Sequence, residues 1–479
     1  MTTIYNPVTP EILRELQQIV GERHVIYGDP EQLEKYSHDE VADRQYAHTP
    51  EAVARPINAQ EMSAIMRLAN RAMIPVTPRG AGSGLSGGAV PAHGGIVLSV
   101  ERMNKILEID PANMMITVEA GVVTNQINTV LEEYGLFYAG YPMSLETCYI
   151  GGNVAENAGG GKAIKYGVTD RYVHGLEVVL PTGEIIELGG KRVKDVTGYN
   201  LLHLMVGSEG TLGIFSKVTL KLMPIPKAKV DLLVLFKGFQ EAMDIVPIIM
   251  TRIGIIPTAI EFMDKLSVQT TCQYLNEHLP YEDAGAMLLI EVDGASDAQV
   301  EAEYEAIGEL CLERGAMEVY VADNYTTQER VWKVRRNIAE AFKVYSPVQS
   351  AEDIVVPFAQ IPDVLRDVDL LGRKYGVLIP NFGHAGDGNL HATPIKPPDM
   401  TIEQWEAILP MLLEELYRAT DKYGGTISGE HGIGFKKKQF VPLVLDDTVL
   451  ALSRGIKDVF DPNHILNPGK VFPDPNETP

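Results

Sequence analysis

The sequence predicts an α+β protein of two main domains, and three observations support this prediction. The chain of 479 residues is long enough for two or three domains, each with its own core. Residues 100–222 contain several strand-like apolar runs and one helical pattern. From about residue 230, strands alternate with long polar helices, and "PIPKAK" at 224–229 is typical of a boundary between domains.

The first element is predicted to be a helix that begins at Pro10. Thr9 and Pro10 have the residue types of a helix cap and of a first helical position. Behind them, apolar residues recur on one helical face, namely Ile12, Leu13, Leu16, Ile19 and Val20. A second helix is predicted at "NAQEMSAIMRLANRAMI", with Asn58 as its cap and Glu61 at the capping-box position.

The elements that follow are mostly strands. The second helix leads into a strand, "IPVTP", then a glycine tract, "RGAGSGLSGG", and another strand, "GGIVLSV". Further strands are predicted at "MMITVEAG", "LEVVLPTG" and "GIFSKVTLKLMP", with a helix near "TNQINTVLEEYG". Beyond the boundary, "VDLLVLF" and "GAMLLIEVDG" are predicted strands and "DAQVEAEYEAIGELCLERG" is a predicted helix. One more helix is expected before the terminal "DPNHILNPGKVFPDP".

Charge and cysteine content exclude several classes of function. The net charge of −23 argues against nucleic acid, because binding to phosphates requires an excess of Lys and Arg. The three cysteines, Cys148, Cys272 and Cys311, are far apart and form neither a disulfide framework nor an iron–sulfur motif. No signal-peptide pattern and no apolar run of about 20 residues is present. We therefore expect a cytoplasmic protein without a transmembrane segment, peripheral to a membrane only through a partner.

Three glycine-rich tracts accompany the predicted strands. The first, Gly82-Ser83-Gly84-Leu85-Ser86-Gly87, satisfies G-x-G-x-x-G, but a strand follows it where a Rossmann site requires a helix. Backbone N–H groups of such a loop can instead cradle a pyrophosphate. The other tracts are "YIGGNVAENAGGG" (149–161) and "GSEGTLGIF" (207–215). Three tracts in one domain favour a large elongated cofactor over three ordinary turns.

The stretch "GHAGDGNLHAT" (383–393) holds His384 and His391 on either side of a Gly386-Asp387-Gly388 tip. Asp-Gly predicts a tight turn that brings both imidazoles to one side. Glu430 and His431 in "GGTISGEHGIG" (424–434) offer a further ligand. Two histidines and a carboxylate suit Zn²⁺, Mn²⁺ or Fe²⁺, whereas the alternative is a hairpin with two half-buried histidines. These residues alone leave both alternatives open.

The motifs "PVTPRGAGSGLSGGAVP", "IGGNVAENAGG" and "VGSEGTLGI" resemble the flavin domain of the vanillyl-alcohol oxidase superfamily. From about residue 40 to 473 the chain resembles the FAD-dependent D-2-hydroxy acid dehydrogenases, the family of glycolate oxidase large subunits and D-lactate dehydrogenases. The resemblance implies a vanillyl-alcohol-oxidase-type FAD-binding domain and an α+β substrate (cap) domain with an antiparallel sheet. The expected ranges are an N-terminal helical segment at 1–45, the FAD-binding domain at 46–226, the cap domain at 227–430 and a C-terminal segment at 431–479 that returns to the FAD domain.

The resemblance implies non-covalent FAD, because the first glycine loop lacks the histidine that tethers flavin in some relatives. The pyrophosphate is expected on 79–84, and the rest of the cofactor along 142–160 and 207–214. The residues expected to contact FAD are Arg79, Gly80, Ala81, Gly82, Ser83, Gly84, Gly87, Pro142, Met143, Ser144, Thr147, Gly151, Gly152, Asn157, Ala158, Gly159, Glu209, Gly210, Ile214 and Asn467. Asn467 can equally be a turn residue before Pro468, and Cys148 is interpreted as a small packed residue.

In the resembled family, the positions of His384, His391 and Glu430 hold a divalent metal, Zn, Mn or Fe, and that of His431 is the active-site base. Arg335 in "VWKVRRNIAEAF" matches the position that binds the substrate carboxylate. The neighbouring Arg336 and Lys333 are interpreted as a solvated helix face. The implied reaction is the oxidation of a small D-2-hydroxy acid to the 2-oxo acid, with hydride transfer to flavin N5.

Relatives that act on D-2-hydroxyglutarate carry a threonine, an asparagine and a lysine for the second carboxylate. Ala339 and Thr393 occupy the first two of these positions, and no lysine occurs near Gln349–Ala351. The resemblance therefore favours D-lactate or glycolate over a long diacid. Two rival hypotheses are a non-redox flavoprotein like the alkylglycerone-phosphate synthases, whose triple-histidine run is missing here, and a metal-dependent hydrolase without flavin. An external electron acceptor, an iron–sulfur subunit or an electron-transferring flavoprotein, is the expected partner.

Overall fold

The computed structural model describes residues 4–41 and 43–473, which form two compact units. Unit 1 comprises the described residues through Gly159, Val168–Ile225 and the described residues from Glu430 onward. Unit 2 comprises Gly160–Gly167 and Pro226–Gly429. Residues 160–167, which lie inside the predicted FAD-binding range 46–226, therefore pack with the second unit.

The elements before Pro226 belong to unit 1 except for α6. The helices are α1 (Pro10–Val20), α2 (Pro30–Glu34), α3 (Ala59–Ala72), α4 (Thr124–Leu131), α5 (Ile150–Glu156), α6 (Ala163–Tyr166) and α7 (Leu201–Met205). The strands are β1 (Val25–Tyr27), β2 (Ala52–Ala54), β3 (Val76–Arg79), β4 (Ile96–Ser99), β5 (Ile106–Asp110), β6 (Met115–Glu119), β7 (Leu136–Phe137), β8 (Val173–Val179), β9 (Ile185–Gly189), β10 (Ile214–Lys221) and β11 (Met223–Pro224).

The elements from Pro226 onward belong to unit 2 except for α15 and the 3₁₀ helix at Lys438–Leu443. The strands are β12 (Ala228–Phe236), β13 (Ala259–Asp264), β14 (Ala286–Gly294), β15 (Glu318–Ala322), β16 (Glu352–Val355), β17 (Asn381–His384) and β18 (Asn389–Ala392). The helices are α8 (Phe239–Arg252), α9 (Lys265–Leu275), α10 (Asp297–Glu313), α11 (Tyr325–Arg336), α12 (Ile338–Tyr345), α13 (Ile361–Tyr375), α14 (Ile402–Lys422) and α15 (Asp447–Phe460). Short 3₁₀ helices lie at Glu22–His24, Arg44–Tyr46, Glu132–Tyr134, Thr169–Arg171, Phe358–Gln360 and Lys438–Leu443.

The two predicted N-terminal helices form with the expected caps. The Thr9 side chain accepts the N–H of Ile12, and Pro10 begins α1, as predicted. Asn58 caps α3 by accepting the N–H of Glu61 at 2.8 Å. The predicted capping box is wrong in one detail, because the Glu61 carboxylate accepts the N–H of residue 57 and not that of the cap.

Unit 1 contains three sheets, two larger ones that place the glycine loops at strand ends and a pair formed by β7 and β11. The first has the order β1-β2-β4-β3, and β4 lies parallel to both of its neighbours. The loop at residues 80–95 joins β3 directly to β4. A Rossmann site requires a helix after the glycine loop, and the predicted strand is found there instead. The second sheet is antiparallel, with the order β5-β6-β10-β8-β9. Its strand β10 begins where the "GSEGTLGIF" tract ends.

The end of the chain pairs with the first sheet of unit 1. The N–H of Val76 in β3 donates to the oxygen of Ile465, and the N–H of Asn467 donates to the oxygen of Val76, both at 2.7 Å. The "HILNPG" segment therefore extends the edge of this sheet at β3. Lys457 in α15 supports the same turn by donating to the oxygen of Leu466 at 2.8 Å.

Unit 2 is built on a seven-stranded sheet of order β15-β12-β14-β13-β17-β18-β16, in which all neighbouring pairs are antiparallel. Long helices accompany the strands, as the alternation in the sequence predicts. The prediction of an α+β fold with an antiparallel sheet in the second domain is confirmed. Within the described part of the chain, the helices lack the combination of length and apolar character that crossing a bilayer requires.

Candidate functional site

A cavity of about 230 Å³ lies in unit 1 among the loop after β3, helix α5 and the start of the C-terminal segment. A second cavity of about 90 Å³ adjoins it and shares part of its wall, at Gly80, Gly88, Ala89, Gly152 and Glu156. The walls consist largely of glycine backbone and small side chains. The combined space suits an extended ligand that approaches the backbone closely.

Most residues predicted to contact FAD line this space. The larger cavity is lined by Gly80, Ala81, Gly82, Ser83, Gly84, Pro142, Met143, Ser144, Gly152, Ala158 and Gly159. The smaller one adds Arg79, Gly151, Glu209, Gly210 and Ile214. The other four, Gly87, Thr147, Asn157 and Asn467, line neither cavity.

Two of these four residues support the cavity walls from behind. The Asn467 side chain donates to the backbone oxygens of Gly88 at 3.0 Å and Glu209 at 2.8 Å, and both acceptor residues line the space. Asn157 ends α5 in the left-handed conformation, and its side-chain oxygen accepts the N–H of Asp170 at 2.9 Å. Asn467 and Asn157 thus hold backbone in place around the cavities.

The first glycine loop is packed onto Arg79. The Arg79 guanidinium donates to the backbone oxygens of His38 at 2.8 Å and Lys35 at 3.2 Å. A Cβ at position 82 would lie 2.1 Å from Arg79 Nη2, and Gly82 has a φ of +78°. Residue 82 therefore has to be glycine. Because Arg79 is bound to backbone, the N–H groups of the loop are the natural donors for a pyrophosphate.

Glu156 is a buried carboxyl group that faces both cavities. Within the described residues its Oε2 has no hydrogen-bond partner. Burial, and then the nearby carboxylates of Glu209 and Asp39, raise the pKa of Glu156 well above its usual range. A protonated carboxyl at this wall can donate a hydrogen bond to a ligand. An orphaned buried group beside the open backbone of Gly152, where a Cβ would meet no atom within 4 Å, fits the bound cofactor that the sequence predicts.

Glu430 and His431 line the larger cavity, so the predicted base lies in the wall of the predicted flavin site. Their side chains are mostly buried, and His431 Nε2 lies 3.9 Å from Glu430 Oε1. The next turn is fixed by Glu209, whose carboxylate accepts the N–H groups of Ile433 at 2.8 Å and Gly434 at 2.6 Å. This bond pair holds the "EHGIG" segment in unit 1.

In unit 2 the predicted histidine hairpin forms. Strands β17 and β18 pair around the turn, with Phe382 opposite His391 and His384 opposite Asn389. Since residues 382 and 384 share one face of a strand, the two imidazoles lie on the same side of the sheet. Their ring centroids are 5.4 Å apart. The prediction that the turn brings the two histidines together is confirmed.

The same face of the sheet holds Arg335 and an acid that the sequence analysis missed, Glu261. His384 Nδ1 lies 2.7 Å from Glu261 Oε1, and Arg335 Nη2 lies 2.6 Å from Glu261 Oε2. The guanidinium is buried, and its Cζ stands 5.0 Å from the ring centroid of Phe382. Nε and Nη2 of Arg335 have no partner at hydrogen-bonding angles among the described residues, so the contact with Glu261 is an ion pair.

Asp353 is the second acid that the sequence analysis missed. It is fully buried on β16, opposite His391 on β18. Its carboxylate accepts the Asn389 amide at 2.6 Å, the Ser428 hydroxyl at 2.8 Å and the Gly429 N–H at 2.9 Å. The chain continues from Gly429 directly into Glu430.

Among the residues whose types suit a divalent cation, His391 on β18 and Asp353 on β16 lie opposite each other within unit 2. The predicted ligand His384 belongs to the same unit, and its Nδ1 is engaged by Glu261. The predicted ligand Glu430 belongs to unit 1. Glu261 could have been noticed as an acid inside the apolar run 259–263, because fully buried carboxylates are rare unless they are paired. Asp353 follows Glu352 in β16 and gives no such signal.

Known proteins match nearly the whole chain. Residues 50–189 match the family described as "FAD binding domain", and residues 225–471 match "FAD linked oxidases, C-terminal domain". The chain is 39% identical to a D-lactate dehydrogenase of Anaerostipes hadrus, with 98% of each chain covered. It is 38% identical to the glycolate oxidase subunit GlcD of Bacillus subtilis, with 97% of each covered.

A third relative and a solved structure complete the comparison. A D-2-hydroxyglutarate dehydrogenase of Xanthomonas citri pv. viticola is 35% identical, with 97% of each chain covered. The fold is similar to that of p-cresol methylhydroxylase, with a TM-score of 0.79 over 99% of each chain at 19% identity. At that identity the structural likeness concerns the fold alone.

Proposed function

This chain belongs to the FAD-linked oxidases and has a vanillyl-alcohol-oxidase-type FAD-binding fold, and from this premise we propose that it oxidises a small D-2-hydroxy acid. The proposed substrates are D-lactate and glycolate, and the product is the corresponding 2-oxo acid. One observation carries the proposal: Glu430 and His431 line the same cavity as the glycine loop and α5, which suit FAD.

The proposed mechanism assigns one task to each residue. Bound FAD supplies the hydride acceptor for the substrate Cα–H. His431 removes the hydroxyl proton, a task that suits imidazole because its ordinary pKa of about 6.5 lies near neutrality. Arg335 binds the substrate carboxylate through its planar guanidinium, whose N–H donors match the geometry of a carboxylate. The burial of this side chain supports this role.

A divalent cation held by His384, His391 and Glu430 would supply Lewis-acid polarisation of the substrate oxygen. Asp353 places a carboxylate on the strand position opposite His391. The pairing of His384 Nδ1 with Glu261 leaves Nε2 as the coordinating nitrogen. Zn, Mn and Fe all suit such a mixture of imidazole and carboxylate ligands.

The substrate class is proposed from the side chains that a second carboxylate would need. Ala339, at the start of α12, has no hydrogen-bonding group, and Thr393 is buried. The second carboxylate of a diacid therefore finds no hydrogen-bond partner in the side chain of residue 339. The relative that acts on D-2-hydroxyglutarate keeps this diacid as the second candidate. A kcat/KM higher for D-2-hydroxyglutarate than for D-lactate would select the second candidate.

The test is an anaerobic spectrum of the purified protein before and after addition of D-lactate, L-lactate and glycolate. A yellow protein that is bleached by D-lactate or glycolate but not by L-lactate supports the proposal. A colourless protein favours a flavin-free hydrolase, and a yellow protein that no hydroxy acid bleaches favours a non-redox flavoprotein. His431→Ala should retain FAD and lose reduction by substrate, since FAD contacts and proton removal are separate tasks.

Reoxidation of the flavin is proposed to need a separate acceptor protein. The three cysteines are all buried, and they do not provide the ligands of an iron–sulfur cluster. An iron–sulfur subunit or an electron-transferring flavoprotein would meet this need. Turnover with D-lactate and an artificial dye, but not with NAD⁺, is the expected result.

A further inference from the structure

Glu261 is a buried carboxylate to which the proposed mechanism gives no task. It lies on β13 with no exposed surface, directly opposite His384 on β17. Each of its oxygens meets a different functional side chain, Oε1 at His384 and Oε2 at Arg335. One carboxylate therefore joins a proposed metal ligand to the proposed substrate-binding arginine.

We propose that Glu261 is a positioning residue that fixes the ring of His384 for metal binding and anchors Arg335 for the substrate carboxylate. This inference rests on the metal site of the proposed function. Glu261 lies outside the predicted ligand set, and it holds a ligand and the arginine in one arrangement.

The chemistry of the His384 contact defines the tautomer of the ring. A carboxylate can only accept hydrogen bonds, so Nδ1 must carry the proton. In a neutral imidazole the lone pair then lies on Nε2, the atom that can bind a cation. Metal-binding histidines commonly donate their second ring N–H to a carboxylate in this way, which fixes the ring and raises its basicity.

Backbone covers this contact on one side. A Cβ at Gly161, in the segment 160–167, would lie 2.4 Å from Glu261 Oε1 and 3.4 Å from His384 Nδ1. The glycine therefore allows the main chain to close over the hydrogen bond. A closely covered bond with no exposed surface on Glu261 is protected from competing water, which strengthens it.

The Arg335 contact anchors the arginine by charge. Arg335 Nη2 lies 2.6 Å from Glu261 Oε2, and both side chains are buried. The ring of Phe382 stands 5.0 Å from Arg335 Cζ and 5.0 Å from the His391 ring. The arginine therefore contacts both a carboxylate and an aromatic ring, and the same ring packs against the predicted metal ligand His391.

A matched control separates this role from general stabilisation of the sheet. Glu291 on the adjacent β14 is equally buried, and it is paired with Lys162 at 2.9 Å and Lys229 at 3.4 Å. Replacement of either glutamate by glutamine removes one buried negative charge from the same sheet. Of the two residues, Glu261 is the one bonded to His384 and Arg335.

The test is a titration of the full-length, chelator-stripped protein with Mn²⁺ and Zn²⁺, read by equilibrium dialysis for the wild type, Glu261→Gln, Glu291→Gln and His391→Ala. Glu261→Gln should weaken metal binding roughly 10–100-fold, the usual cost of losing such a partner. Glu291→Gln should bind metal like the wild type. Glu261→Gln should also raise KM for D-lactate, because Arg335 loses its anchor.

The measured metal affinities test the role of Glu261 and the proposed metal site separately. Wild-type metal affinity in Glu261→Gln, with loss in His391→Ala, overturns the inference and leaves the proposed metal site standing. No metal binding by the wild type overturns both. If Glu261→Gln does not fold, Glu261→Asp decides the question: it keeps a negative charge near Arg335 but shortens the reach to His384, and it should also bind metal more weakly than the wild type.

Discussion

The carboxylate of Glu209 accepts the backbone N–H of Gly434 at 2.6 Å, and this bond ties the segment after the proposed base to the wall of the cofactor cavity. Glu209→Gln should lower the free energy of unfolding by about 1–3 kcal/mol, because an amide can accept only one of the two N–H groups that Glu209 now satisfies. Urea unfolding measures this change. Glu132→Gln, at an exposed position of unit 1, should leave the unfolding curve unchanged. An equal effect of both substitutions would contradict the role of Glu209.

The open backbone at Gly152 predicts a variant that cannot hold FAD. Gly152→Val would project a side chain into the space shared by both cavities, and FAD affinity should fall by more than about tenfold, equivalent to 1.4 kcal/mol. The flavin absorbance of the dialysed protein measures this loss. Gly455→Val is the matched control, because Gly455 also lies in a helix and a Cβ there also meets nothing within 4 Å. FAD retention by Gly152→Val would refute the assignment of the cavity.

The buried donors of Arg335 predict a difference between two neighbouring arginines. Arg335→Lys should raise KM for D-lactate roughly 10–150-fold, the equivalent of one charge-assisted hydrogen bond of about 1.5–3 kcal/mol, because lysine lacks the planar fork. Arg336→Lys should leave KM unchanged, since Arg336 is exposed and paired with Glu329. Steady-state kinetics with an artificial dye measure both. A similar KM for wild type and Arg335→Lys would remove Arg335 from substrate binding.

Asp231 predicts a pH dependence of stability. It is buried on β12 opposite Glu291 on β14, and burial, then Glu291, raise its pKa from 3.8 to about 7. The folded protein therefore binds a proton between these pH values that the unfolded chain does not. Stability should fall as pH rises from about 4 to about 7, by at most about 1.4 kcal/mol per pH unit.

Asp231→Asn removes the titrating carboxyl group. The free energy of unfolding of this variant should therefore change less with pH than that of the wild type. Urea unfolding at pH 5 and pH 7 measures the difference in the wild type and the variant. Asp399→Asn, at an exposed position, should keep the wild-type slope. If the free energy of unfolding changes equally with pH in the wild type and in Asp231→Asn, a group other than Asp231 is responsible for the change.

Local signals in the sequence predicted local structure well. Thr9-Pro10 predicted the start of α1, and Asp387-Gly388 predicted the turn between β17 and β18, because caps and turns depend on neighbouring residues. The α+β fold followed from the strand and helix patterns. The strand after the first glycine tract excluded a Rossmann site, and the structure confirms that connection.

Long-range partners could not be read from the same patterns. Glu261 and His384 are 123 residues apart, and their contact depends on the pairing register of β13 with β17. No residue near Glu261 signals that register. Residues 160–167 also pack with elements that are distant in sequence. The predicted domain range 46–226 is continuous, so it could not assign these residues to the other unit.

The division of the chain into units affects how the protein folds as it is made. The polypeptide passes between the units at four peptide bonds, after Gly159, Gly167, Ile225 and Gly429. A nascent chain leaving the ribosome cannot complete the first unit until synthesis reaches the strand partner of β3 at Ile465. The uninterrupted stretch Pro226–Gly429 emerges earlier, so the second unit is positioned to mature before the first, the reverse of the usual N-terminal-first order.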